Sequence, residues 1–144
     1  MNIRTKARET ALQVLYKMDI ADGGQAEFEA DMDRLAPGTE ARRYCEEIVN
    51  GVVANGAQID PIIDEFSENW KVERMALVDR NVLRVAVYEL KYRTDVPYRV
   101  IIDEAVELAK RYGSEDSGPF VNGIIDKIRK GLARSEPAAK TGGR

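Results

Sequence analysis

Apolar residues recur at intervals of three and four along most of this chain, the spacing that gathers them on one face of an α-helix. Ala7, Ala11, Val14, Leu15 and Met18 form the first such face. It should fade at Asp22-Gly23-Gly24, where paired glycines favour a turn. A short amphipathic piece with Phe28, Met32 and Leu35 follows and is broken by Pro37-Gly38. Thr39 is placed to cap a third helix carrying Tyr44, Ile48, Val49, Val52 and Val53.

Three Asn-Gly pairs (Asn50-Gly51, Asn55-Gly56 and Asn122-Gly123) have helical rather than alternating flanks, so they do not predict hairpins. Asn55-Gly56 reads as a helix stop with a left-handed glycine. Gly51 and Gly123 read as points where helices approach closely. Asp60-Pro61 reads as a cap and first turn, opening a helix with Ile62, Ile63 and Phe66. From about Val72 to Tyr92 the apolar arc is too wide for a surface helix, which predicts a central one with Glu73 in its first turn. Asp95-Val96-Pro97 interrupts. Ile101, Ile102, Ala105, Leu108 and Ala109 mark the next helix. The last, with Val121, Ile124, Ile125 and Ile128, should be capped by Ser117 or Asp116, with Pro119 in its first turn. The pattern predicts an all-α protein of about seven helices, with no convincing strand. Periodicity ends after Leu132, so a folded domain over 1–134 and a disordered tail over 135–144 are expected.

The length, 144 residues, suits a single domain with a real core. Cys45 is the only cysteine, which fits a reducing compartment. No stretch approaches the ~18 apolar residues of a membrane span, and the first residues lack the apolar core of a signal peptide. These features point to a cytoplasmic protein away from membranes.

The residue inventory narrows the chemistry. With no histidine, the commonest general base and zinc ligand is missing. One cysteine cannot build a thiolate metal site. No Walker loop, dinucleotide fingerprint or Glu-x-x-His pair occurs. Asp22 and its neighbours have the wrong ligand spacing for a calcium loop. Asp103, Glu104 and Glu107 read as a solvated helix face, with Glu107 and Arg111 spaced for an i,i+4 pair. The expectation is no catalytic residue, no metal and no cofactor.

Charge changes the picture most. The net charge of −3 hides a segregation: Arg4, Lys6 and Arg8 put +3 on residues 1–8, and residues 124–144 carry +4. The body between them carries −10. Basic ends suit a polyanion, and an acidic body suits a basic partner.

Three blocks, KARETALQVLY, NWKVERMALVDRNVLRVAVYEL and VPYRVIIDEAVELAKRYGSEDSGPFVNGIIDKI, carry a further signal. Together they resemble the NusB family of bacterial transcription antitermination factors over residues 4–130, with divergence from about 20 to 60. The resemblance implies two small packed helical bundles and a non-enzymatic role. It implies pairing with NusE, a small ribosomal protein, on boxA-type single-stranded RNA. The RNA polymerase antitermination complex would then read through terminators, notably in ribosomal RNA operons. By residue matching it assigns an RNA surface to Arg4, Lys6, Arg8, Arg84, Tyr112, Asp116 and Phe120. It assigns the protein-partner surface to Tyr16, Glu73 and Asp79. Cations for phosphate and aromatic rings for unpaired bases are the chemistry such an RNA requires. The competing reading is a protein-only helical adaptor without direct RNA binding. A third, an RNA-modifying enzyme fragment, needs a catalytic domain supplied in trans.

Overall fold

The structure, a computed structural model, describes residues 2–20, 25–132 and 136–137. Seven α-helices account for most of it, and no strand occurs among the described residues. They are α1 (Ile3–Ile20), α2 (Gln25–Met32), α3 (Glu40–Ala54), α4 (Gly56–Phe66), α5 (Leu77–Tyr92), α6 (Tyr98–Tyr112) and α7 (Ser117–Leu132). The glycine pair at 23–24 and most of the expected tail lie outside the described residues. Within that tail, Glu136 Oε1 accepts a hydrogen bond from Tyr98 N at 2.9 Å, at the start of α6.

Helices α1 to α3 pack together as one bundle and α4 to α7 as a second. Helix α5 joins them, touching α1 and α3 on one side and α4, α6 and α7 on the other. Its wide apolar arc is explained by that position: Val82, Leu83, Val85, Ala86, Val87 and Leu90 are all buried, so little of its circumference is left to water. The two bundles share one continuous core.

Helix ends follow local chemistry, with instructive departures. Asn2 caps α1, its Oδ1 accepting from Arg4 N at 2.7 Å. Thr39 Oγ1 caps α3 by accepting from Arg42 N at 3.2 Å. Gly38, in the turn before it, has φ 77°, the left-handed region that glycine enters without a Cβ penalty. Asn55 ends α3 and starts α4 at φ −110°, so this junction needs no left-handed glycine; Asn55 Nδ2 instead donates to Gly51 O at 2.8 Å. Helix α4 therefore begins four residues before Asp60, and Pro61 lies inside it rather than in its first turn. Asp60 is freed from capping and meets Arg84. The central helix also starts later than its pattern suggests: Val72–Arg74 form a separate 3-10 turn, and Glu73 stands on that turn rather than on α5. Gly51 is a close-approach site, since a Cβ there would lie 2.1 Å from the Tyr88 ring. Gly123 is not, because a Cβ added there would meet nothing within 4 Å. The last helix is entered through Ser114 and Ser117: Ser114 N donates to Ser117 Oγ at 3.0 Å, while Asp116 O accepts from Phe120 N at 3.2 Å. Pro119 sits in the first turn, as its missing N–H favours.

Candidate nucleic-acid interface

The first turn of α1 holds Arg4 and Lys6 and no acidic residue. Cations at this end face the positive pole of the helix dipole, which costs them stability unless an anion is at hand. Lys6 is exposed and Arg4 half-buried. The Arg4 guanidinium lies 4.7 Å from the centre of the Tyr44 ring, a cation–π arrangement that orders the side chain while leaving N–H donors for a ligand.

Arg8, two residues past Lys6, is removed from this surface. Only 2 % exposed, it donates from Nε and Nη2 to Glu89 at 2.8 Å each and from Nη1 to Glu104 Oε1 at 2.8 Å. The Tyr44 hydroxyl donates to the same Glu89 carboxylate. Burial weakens every charge here, but Glu89 outweighs that penalty and raises the already high pKa of Arg8. The Tyr44 hydroxyl is likewise pushed up, first by burial and then by the charge of Glu89. A buried guanidinium held by two carboxylates is turned away from a phosphate in this arrangement, which departs from the expectation for Arg8 and makes it an anchor of the helix that carries Arg4 and Lys6.

Arg84 departs in the same way. Its Nε and Nη2 donate to the two oxygens of Asp60 at 2.9 Å each, and Nη1 reaches Asp19 at 3.0 Å. It lines an open groove of about 490 Å³ with Glu73, Asp64 and Arg80. The fold thus groups Arg84 with an expected partner residue rather than with Tyr112, and directs its guanidinium inward.

The α6–α7 corner keeps its expected side chains near solvent. Tyr112 is 39 % exposed, Asp116 is exposed, and Phe120 is half-buried with part of its ring against the core. Long side chains from α6 reach α1 here. Glu104 Oε1 accepts from Thr5 Oγ1 at 2.6 Å as well as from Arg8. Glu9 Oε2 accepts from the Tyr112 hydroxyl at 3.2 Å and from Arg111 Nη1. These bridges tie the first turns of α1 to the middle and end of α6. Arg111 therefore pairs with Glu9 and not with Glu107, and Glu104 does not belong to a solvated face. Neither pairing has a sequence signal, because the partners are separated by about a hundred residues.

The expected partner residues are divided between two parts of the surface, each shared with an expected RNA residue. Tyr16 lines an open groove of about 440 Å³ with Leu12, Ile20, Val78 and Tyr112. Asp79 follows Val78 in the first turn of α5, and its Oδ1 is buried without a hydrogen-bond partner among the described residues. Glu73 is exposed on the 3-10 turn, whose Val72 N donates to Asp64 Oδ1 at 2.8 Å and whose Glu73 O accepts from Arg80 Nη1 at 3.3 Å. Tyr16 and Tyr112 are therefore brought to one groove, while Glu73 opens onto the other. Among the described residues, no helix is long and apolar enough to cross a membrane, and no cluster of His, Cys, Asp or Glu is arranged to hold a metal ion.

Comparison with known proteins joins these features. A profile described as the NusB family matches residues 5–130. A protein of Sorangium cellulosum named transcription antitermination protein NusB is 49 % identical over 135 residues, covering 93 % of this chain and 96 % of that one. The solved structure of T. maritima NusB superposes with a TM-score of 0.81 at 39 % identity, covering 88 % of this chain and 90 % of that chain. A chain of a crystal structure of antitermination factors NusB and NusE in complex with double-stranded RNA gives a TM-score of 0.81 at 31 % identity, over 91 % of this chain and 98 % of that chain. Lys6, the α6–α7 corner and nearly all of the seven-helix architecture lie within the matched span, and the chain belongs to the NusB family.

Proposed function

We propose that this chain acts in transcription antitermination by binding boxA-type single-stranded RNA together with ribosomal protein NusE, within the RNA polymerase complex, in the cytoplasm. The role is one of binding, not catalysis. The observation that carries the reading is the pair of accessible cations, Arg4 and Lys6, at the positive end of α1 with no acid in that turn. Such a placement is unfavourable in isolation and becomes favourable against a polyanion. Tyr112 and Phe120 at the neighbouring corner supply rings on which unpaired bases can stack, and Asp116 can accept from a base edge. Tyr16, Glu73 and Asp79 are the residues offered to NusE. Asp79, half-buried in the first turn of α5, supports this by presenting a carboxylate to a basic partner.

A salt titration of a boxA-like single-stranded RNA tests the reading, with and without NusE. Replacing Arg4 and Lys6 by Ala should flatten the slope of log K against log salt by about 1.4, at about 0.7 per phosphate contact. Phe120→Ala should lower affinity by ~1–3 kcal/mol with little change in slope, since stacking displaces no counterion. Unchanged slope and affinity in both variants would favour the protein-only adaptor.

A further inference from the structure

Arg111 is a cation near the proposed RNA face whose charge is met from another helix. Its Nη1 donates to Glu9 of α1, and the same Glu9 oxygen accepts from the neighbouring Tyr112 hydroxyl at 3.2 Å. The two partners differ in accessibility: the Glu9 side chain is 15 % exposed and that of Arg111 44 %. A carboxylate is thus tucked against a guanidinium and a phenol that both reach solvent. Guanidinium and hydroxyl together form a donor pair that suits a phosphodiester as well as a carboxylate, because both anions present oxygens in a similar fork. Glu9 lies one turn beyond Thr5, on the stretch of α1 that also carries Arg4 and Lys6.

We propose that Arg111 is a further phosphate-contacting residue of the RNA face, and that Glu9 is its internal counterion, holding Arg111 and Tyr112 in the free protein and yielding them to a phosphate. This rests on the reading of Tyr112, Asp116 and Phe120 as an RNA surface. Two features favour the exchange: Arg111 is exposed enough for water to screen its side of the pair, and one anion replaces another, so the guanidinium is never left unpaired. The opposing cost falls on Glu9, which is mostly buried and gives up two donors. Glu9 then moderates affinity: with it in place, Arg111 contributes less net positive charge to the polyanion than Arg4 or Lys6 does.

The experiment is a double-mutant cycle of Glu9→Gln and Arg111→Ala, read as salt titrations of a boxA-like single-stranded RNA in the presence of NusE. Glutamine keeps a hydrogen-bonding group against Tyr112 and removes only the charge. Glu9→Gln should tighten binding about three- to fivefold and steepen the salt slope by up to about 0.7. Arg111→Ala should weaken binding by a similar factor, Arg111→Lys should largely retain it, and Glu9→Gln should bring no gain once Arg111 is gone. A gain from Glu9→Gln that persists in the Arg111→Ala background would overturn the proposal, because Glu9 would then act only as a general negative charge. So would an Arg111→Ala protein that binds as the parent does. Circular dichroism melts of each variant, with Arg111→Gln as a second replacement, separate loss of binding from loss of fold. Phe120→Ala in the same assay separates the two levels. If it weakens RNA binding while the cycle shows no coupling, only the role of Arg111 and Glu9 fails; if neither has an effect, the RNA-face reading fails with it.

Discussion

Arg8 donates to Glu89 through two nitrogens and to Glu104 through a third, while Tyr44 closes the other side of Glu89. Removing one member of such a set leaves an uncompensated charge in the core. Arg8→Ala should therefore lower unfolding stability by ~3–5 kcal/mol in urea titrations. Arg8→Lys should recover only part of this, because an ammonium cannot match the two-oxygen fork. A loss under about 1 kcal/mol would show that the cluster relaxes around water instead. Asp79 poses the opposite problem, with a buried oxygen and no internal donor among the described residues. Asp79→Lys should weaken NusE binding by roughly 1–3 kcal/mol while RNA binding by the isolated protein barely changes. Equal NusE affinity in a folded variant would remove Asp79 from the partner surface.

Between helices, packing decides what propensity leaves open. Glycine weakens a helix interior by about 1 kcal/mol relative to alanine, so Gly51→Ala looks stabilising on local grounds. In the fold, the added Cβ would lie 2.1 Å from Tyr88 Cε1 on α5. Tyr88 is pinned, its hydroxyl donating to Glu47 at 2.9 Å, so it cannot swing aside freely. The clash should outweigh the helical gain, giving a net loss of ~1–3 kcal/mol and a lower melting temperature. A raised melting temperature would mean that the ring moves at no cost. The same competition explains α4, which extends back through Gly56 with Pro61 inside it. Proline there forfeits one backbone hydrogen bond, while Ile59 and Ile63 are held fully buried across it.

Across the whole molecule, Asp19 links the two bundles. Its Oδ2 accepts from Arg80 Nε at 2.9 Å, Asn81 Nδ2 at 2.7 Å and Arg84 Nη1 at 3.0 Å, and Arg84 passes the connection on to Asp60 of α4. Burial alone would raise the pKa of Asp19, but the hydrogen bonds from Arg80 and Asn81 and the nearby charges win and lower it. The folded state therefore binds this proton less readily than the unfolded chain. The resulting stability is fully present above the unfolded value near ~3.9 and disappears as pH falls through the depressed folded value. Asp19→Asn should cost about 2–3 kcal/mol at pH 7 and flatten the acid limb of the stability curve below about pH 4. Urea unfolding at a series of pH values checks this; parallel acid limbs in parent and variant would exclude Asp19 as the responsible group.

What this sequence by itself determined was local. Seven helices were legible because apolar spacing, Thr39, Pro97 and Pro119 act within a turn or two of where they stand. The basic start of α1 was legible as charge chemistry, whereas Tyr112 and Phe120 were singled out only through the resemblance of three blocks. The tertiary structure alone decided which charges face outward. Arg4, Lys6 and Arg8 look alike in sequence, yet Arg8 is buried against Glu89, eighty-one residues away. Arg84 is turned to Asp19 and Asp60, and Arg111 bypasses its i,i+4 neighbour for Glu9, across 102 residues. Helical periodicity depends on neighbours along the chain, whereas the pairing of a charge depends on which helices the core brings together, and one chain's spacing carries no record of that.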